Sequence, residues 1–303
     1  MPGLRLAIAL LACSLWLRPV HAQQMDPRSY SNVPTGLNFL LAGYVYQEGD
    51  VAVDPTLPIK DLNAKVDTAA VSYVHTLAFR GQSATVGLIV PYGSISADGL
   101  VEGQARGVTR AGFGDPTLRL TFNLLGAPAL PVKEFGGYRQ DLIVGLTLLV
   151  TAPWGHYDPE RVINVGTNRW AFKSELGVSK ALGNWTLEGA FGVTFFTDND
   201  EFMVSQTRQQ DPLYALQGHL IYNFNPRLWG SLDATYYEGS STSVDGVQKD
   251  DMLQNTRWGG NLSFAVNQSH SLKLYFSSGA SSRIGADFDT LGLAWQYRWA
   301  GAQ

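Results

Sequence analysis

The chain has 303 residues, a formal net charge of −4, 16% charged residues and 12% aromatic residues, with a mean hydropathy of −0.05. That is too polar for a bundle of membrane helices and fits either a soluble protein or a β-barrel. The acidic balance lacks the basic stripe of a nucleic-acid-binding protein, so no nucleic-acid partner is expected.

Residues 1–22 read as a cleaved secretory signal. Arg5 supplies the positive start, residues 6–17 the apolar core, and Val20-His21-Ala22 a small-residue cleavage site. A lipoprotein signal is the competing reading, because Leu10-Leu11-Ala12-Cys13 loosely resembles a lipobox; the apolar run, however, continues past Cys13. Cleavage after Ala22 removes the single cysteine, leaving no disulfide, thiol nucleophile or zinc–thiolate site. It also removes Arg5 and Arg18 from 22 basic residues, so 20 remain against 26 acidic ones, a net of −6.

Residues 23–35 show no periodicity and read as a tail on the periplasmic side, with insertion into the lumen left open. From residue 36 the chain alternates apolar and polar side chains, the period of a strand. The first strand is expected over 36–47 and the second over 64–79, whose phase is unclear near Asp67–Ala70, where a bulge is one explanation. A tight turn at 80–83 leads to a third strand over 84–92. A Gly/Ser/Asp-rich loop over 93–112 follows, and a fourth strand sets Leu118, Leu120, Phe122 and Leu124 against Arg119, Thr121 and Asn123. The fifth, over 141–152, carries the longest apolar run of the mature chain, LIVGLTLLV; this is half the ~18 residues of a membrane helix.

Strands six and seven are the clearest. In RWAFKSELGVSK, Trp170, Phe172, Leu176 and Val178 oppose Lys173, Glu175 and Ser179. In WTLEGAFGVTFFTD, Trp185, Leu187, Phe191, Val193 and Phe195 oppose Thr186, Glu188 and Thr194. The short turn at 183–184 makes these an antiparallel hairpin, each arm about ten residues, the length of a tilted membrane strand. Five further strands follow: 213–224, 228–237, one around Trp258–Val266, one around Leu272–Phe276, and a closing strand with Leu291, Leu293, Trp295, Tyr297 and Trp299.

The count is about twelve, an even number, and the connections mostly alternate long with short; 126–139 is the long exception among the short ones. A single hairpin taken alone favours a soluble sandwich, but that rhythm is the layout of an outer-membrane barrel with its long loops outside the cell. The fold class expected is therefore all-β: an antiparallel up-and-down transmembrane β-barrel of about 12 strands over residues 36–303. Closure pairs every backbone N–H and C=O in hydrocarbon and leaves no edge. Such a chain is placed in the bacterial outer membrane, with outer-membrane lipids and the barrel-assembly machinery as partners.

The stretches VPTGLNFLLAGYVYQEGD (33–50), GFGDPTLRLTFNLLGAPAL (112–130) and APWGHYDPERVINVGTNRWAFKSELGVSK (152–180) resemble the bacterial outer-membrane proteins linked to the meta-pathway of phenol degradation, often labelled "transporter". NWTLEGAFGVTFFTDND (184–200), QDPLYALQGHLIYNF (210–224) and the C-terminal LGLAWQYRW extend the likeness over nearly all of the mature chain. The resemblance implies an outer-membrane barrel that passes small aromatic or hydrophobic compounds. It supplies no functional residues.

The inward parity carries Arg119, Lys173, Glu175, Glu188, Asp233, Arg257, Lys273 and Arg298 as lumen-lining candidates. They line a permeation path or salt-bridge one another in a plugged, structural interior; a twelve-strand lumen is intermediate in width and admits both. The aromatics Trp154, Trp170, Trp185, Trp229, Trp295 and Trp299, with Tyr157, recur at strand ends and read as interface girdles. The acids at 198–201 and the pair Asp250-Asp251 lack the spacing of a calcium loop and read as solvated loop acids. No metal or other cofactor is expected. A lipid-modifying enzyme needs an outward-facing His–Ser pair. His219 falls on the inward parity and no nucleophile elbow occurs, so no enzymatic activity is expected. The reading is an outer-membrane channel for passive or facilitated uptake of small aromatic or hydrophobic compounds. The alternative is a non-transporting surface barrel with a plugged lumen.

Overall fold

The structure, a computed structural model, describes residues 25–52, 59–161 and 163–300. The signal expected over 1–22 lies outside these residues.

The described residues form seventeen strands: β1 (Leu37–Ala52), β2 (Ile59–Phe79), β3 (Gln82–Val101), β4 (Gln104–Phe113), β5 (Thr117–Leu125), β6 (Leu142–Thr151), β7 (Ala171–Leu182), β8 (Trp185–Phe196), β9 (Asn199–Phe202), β10 (Gln206–Gln210), β11 (Leu213–Asn225), β12 (Leu228–Gly239), β13 (Thr242–Val244), β14 (Val247–Gln248), β15 (Leu253–Ala265), β16 (His270–Ser282) and β17 (Gly285–Ala300). Among the described residues one short helix, α1 (Val132–Phe135), interrupts them. Thirteen of the strands form one sheet, and the β2–β3 and β1–β17 pairings close it on itself. β4 and β5 lie end to end along β3, so the closed antiparallel barrel has 12 staves, as the alternation predicts. No described helix is long and apolar enough to cross a membrane.

The outer face is apolar through the middle of the barrel. Leu118, Leu176, Phe191, Leu216, Leu232, Leu262, Leu274 and Leu293 all stand exposed on it. In hydrocarbon that exposure is favourable, and the ladder hydrogen bonds satisfy the backbone. Aromatic pairs ring both ends. Near the short turns are Trp185–Tyr222 at 4.5 Å and Tyr297–Trp299 at 5.3 Å between centroids, and toward the long loops Tyr92–Phe113 at 5.3 Å and Trp154–Trp170 at 6.2 Å.

Four local expectations are corrected. Residues 93–112 are not a loop: they continue β3 and form β4, joined by a two-residue turn in which Glu102 and Gly103 have φ of 52° and 77°. β1 and β2 likewise run longer than 36–47 and 64–79. The phase change near Asp67–Ala70 is not a bulge, because pairing with β1 and β3 is unbroken there; the irregularity of β2 lies between Lys60 and Asn63. Instead the pattern inverts. Beyond the apolar belt Lys65, Ser94, Ser96 and Thr109 face outward, while Leu62, Ala64, Val66, Ile95 and Ala97 pack inward. A strand that leaves the bilayer meets water on its outer face, so the apolar parity switches sides with no change of register. Finally, the loops at 199–211 and 238–255 carry a second small sheet, β14-β13-β10-β9.

Candidate functional site

The interior is filled in two layers. The inner layer is the segment from Asp26 to Thr35, which lies inside the barrel rather than beside it. Tyr30 is fully buried and its hydroxyl donates to Glu175 Oε1 at 3.0 Å. Its ring rests where β6 and β7 have no side chain. A Cβ on Gly145 would meet the ring at 2.5 Å, and one on Gly177 would overlap it. Asp26 pairs with Arg119 and lies 3.8 Å from Lys273 Nζ. Burial by itself would raise the Asp26 carboxyl, but the Arg119 and Lys273 charges outweigh it and hold it well below the usual carboxylate range. Arg28 hydrogen-bonds Asn223 and lies 4.5 Å over the centre of the Trp229 ring. The Ser29 backbone N–H donates to Glu188 Oε1 at 3.1 Å, and Ser29 Oγ accepts from Arg119 Nη2 at 2.8 Å. At its end the segment is tied to the 126–139 connection: Thr35 N donates to Leu130 O at 2.9 Å.

The candidate lumen residues divide accordingly. Arg119, Lys273, Glu175 and Glu188 receive the N-terminal segment. Lys173 neutralises Glu175 at 2.6 Å, and Gln217 donates to the same carboxylate at 3.0 Å. Asp233 faces inward, accepting from Ser231 at 2.9 Å and Asn261 at 2.6 Å and lying 2.7 Å from His219 Nδ1. Arg257 is buried among Ser277, the Phe288 carbonyl and Thr290. Arg298 does not line the lumen. It is exposed at the short-turn rim, where its Nε donates to the Gln268 carbonyl of the neighbouring turn.

Trp154, Trp170, Trp185, Trp295 and Trp299 lie outside, in the aromatic rings. Trp229 does not. It shares the parity of Ser231 and Asp233, faces inward, and stacks beneath Arg28. Its place near a strand end suggested the girdle, but its phase within β12 decides its side.

The outer layer is the loop between β6 and β7, which folds into the barrel mouth. Ile163 and Val165 pack against the inward Val51, Val66, Ile95 and Phe288. Asp115, in the break between β4 and β5, fastens this loop: its carboxylate accepts from Gly155 N and Thr167 N, both at 2.8 Å, and from Thr167 Oγ1 at 2.6 Å. The loop acids have structural work of the same kind. Asp251 caps Thr242 through its N and Oγ1, and Asp250 pairs with Arg283. Among the described residues no group of three or more His, Cys, Asp or Glu comes together as a metal site.

Sequence reasoning missed Asp26, Arg28, Tyr30 and Asp115. The first three sit in a stretch without periodicity, and their only signal is two opposite charges and a tyrosine packed into five residues beside the first strand.

A closed barrel with an apolar belt, aromatic rings and a filled lumen defines an outer-membrane β-barrel. The chain belongs to the family described as "Putative MetA-pathway of phenol degradation", whose model matches residues 44–290. Among solved structures it is similar to an outer membrane channel from Pseudomonas putida F1, with a TM-score of 0.79 and 21% identity, covering 91% of this chain and 100% of that one. It is also similar to the transport unit of the autotransporter AIDA-I from Escherichia coli, with a TM-score of 0.52, 9% identity, and 96% and 97% of the two chains covered. A deltaS2 mutant of the TodX monoaromatic hydrocarbon channel gives a TM-score of 0.50 at 11% identity, over 91% and 93%. At these identities the likeness is one of fold. No curated protein matches the chain by sequence.

Proposed function

We propose that this barrel is an outer-membrane channel for uptake of small aromatic or hydrophobic molecules down their gradient, closed at rest by its own N-terminal segment. The observation that carries the reading is how that segment is held. It lies in a socket of opposite charges and two glycines, by contacts that are non-covalent and reversible. An interior meant only as filler needs no such socket, since paired side chains from the wall alone would fill it. The family and the likeness to a monoaromatic hydrocarbon channel support the class of molecule.

A catalytic role is not part of this reading. Ser231, His219 and Asp233 lie together, but the Ser231 hydroxyl is spent on Asp233 and not on the imidazole, which is the wrong partner for a nucleophile and its base.

The test is planar-bilayer conductance and whole-cell uptake of phenols, alkylbenzenes and aromatic acids, with the full chain and with residues 23–35 deleted. Deletion is expected to raise conductance, and the full chain to speed uptake of at least one aromatic over a deletion strain. A barrel silent in both forms, with uptake unchanged, would return the protein to the plugged structural reading.

A further inference from the structure

At the extracellular mouth a cavity of about 150 Å³ opens between β4 and the in-folded loop, lined by Arg110, His156, Asp158, Arg161, Asn164 and Val165. The lining is rigid on one side. Asn164 accepts from Asp158 N at 2.9 Å and donates to the Asp158 and Arg161 carbonyls at 3.0 and 2.9 Å, which fixes the turn. His156 is seated because β4 has Gly112 beneath it; a Cβ there would meet the His156 Cβ at 2.6 Å. Val165 supplies an apolar floor that is continuous with the packed interior.

The charges do not cancel. Two guanidinium groups face one carboxylate, and Asp158 already accepts from Arg161 Nε at 3.0 Å. Among the described residues Arg110 forms no ion pair of its own, and its charge acts on the same Asp158 carboxylate that Arg161 holds. Its Nη1 donates to the Thr109 carbonyl at 2.8 Å, and its Nε is buried without a hydrogen-bond partner among the described residues. A buried donor of this kind is costly unless something accepts from it. The cavity is thus a small net-positive recess on a chain whose overall charge is −4. Its size matches a single ring, since a cavity of about 150 Å³ holds one benzene. A guanidinium fork beside an imidazole matches a carboxylate in geometry and charge. Phenol, whose hydroxyl ionises near the phenolic value of about 10, offers no charge to pair at neutral pH.

We propose that this mouth cavity is a recognition site for single-ring aromatic carboxylates, with the ring on Val165 and the carboxylate on Arg110 and His156. The site gives the uptake reading above a substrate class, and rests on that reading for its purpose.

The test is calorimetric titration of the purified full chain in detergent with benzoate, using toluene as the ring without the charge and acetate as the charge without the ring. Benzoate is expected to bind saturably, and both controls at least tenfold more weakly. Arg110→Gln should weaken benzoate roughly tenfold or more, the worth of one charge-assisted hydrogen bond, while leaving toluene unchanged. Val165→Phe, which fills the cavity without altering charge, should abolish benzoate binding; heat-shifted gel mobility verifies that each variant is folded. Equal binding of benzoate and toluene, or a folded Arg110→Gln variant that binds benzoate as before, would overturn the site. Uptake of benzoate and of neutral toluene by cells is scored separately. Benzoate binding with no aromatic uptake at all leaves the site standing and removes the channel. Uptake of both compounds with no benzoate binding does the reverse.

Discussion

Tyr30 and Gly177 are the pair on which closure of the lumen turns. The tyrosine is buried only because the wall beneath it has no Cβ, so Gly177→Ala sets a methyl group into the ring and leaves the segment nowhere to seat. The expected outcome is higher conductance than the parent chain and faster protease cleavage within residues 25–35. Asp26 makes a second, pH-dependent prediction. Its carboxyl is held below the usual range by Arg119 and Lys273 against the opposing effect of burial. A depressed folded value means that the contribution to docking is complete above the free carboxylate value of about 3.9 and is lost as pH falls below it. Conductance recorded from pH 7 down to pH 3 should therefore stay low and then rise at the acid end. Asp26→Asn should conduct more than the parent at neutral pH and lose most of that acid-dependent rise.

Among the elements, the loop between β6 and β7 closes a stretch of wall that strands do not. β6 ends at Thr151, opposite Thr117 of β5, so the barrel-side end of β4 is met by loop backbone, with His156 N donating to Phe113 O at 2.7 Å. Asp115 holds that loop through three donors. Asp115→Ala leaves the Gly155 and Thr167 amides unpaired, at about 1–3 kcal/mol for each buried group that water does not reach. The expected result is a heat-modified gel transition several degrees lower than that of the parent, with the barrel still forming. The loop's sequence, rich in Pro, Gly and Asn, announces irregular structure but not its inward path. That path follows from Ile163 and Val165, which find apolar partners only inside the mouth.

For the molecule as a whole, the two faces should respond oppositely to charge. Leu176 and Gly177 are neighbours on β7, one 52% exposed to the lipid side and the other against Tyr30. Leu176→Arg or Phe191→Arg places a guanidinium in hydrocarbon, at a cost of about 2–4 kcal/mol near the midplane. Thr194→Glu places its new charge in the lumen, directly across from Lys173 on β7. Refolding yield into lipid vesicles across a urea series should fall sharply for the first two and change little for the third.

The twelve strands, the lipid-facing residues and the inward side of seven of the eight lumen candidates were legible because a strand has a period of two and lipid tolerates no polar parity. Position along the strand, read in place of phase, misplaced Trp229, and Tyr157 lies in the loop between β6 and β7, accepting from Asn199, rather than in a girdle. The rule of alternation failed where the barrel rises out of the bilayer: the apolar parity changes sides toward Leu62, Val66 and Ile95, and the sequence shows this only as an unclear phase near Asp67–Ala70, which a bulge explains as readily. Local alternation, in short, specified a rolled sheet and which way its middle faced. That the chain's own N-terminal segment fills the lumen, and that a cationic recess forms beside Gly112, depended on residues as distant as Asp26 and Arg119, or Arg110 and Arg161, meeting in space. Closure of the barrel alone brings those groups together, and no periodicity encodes it.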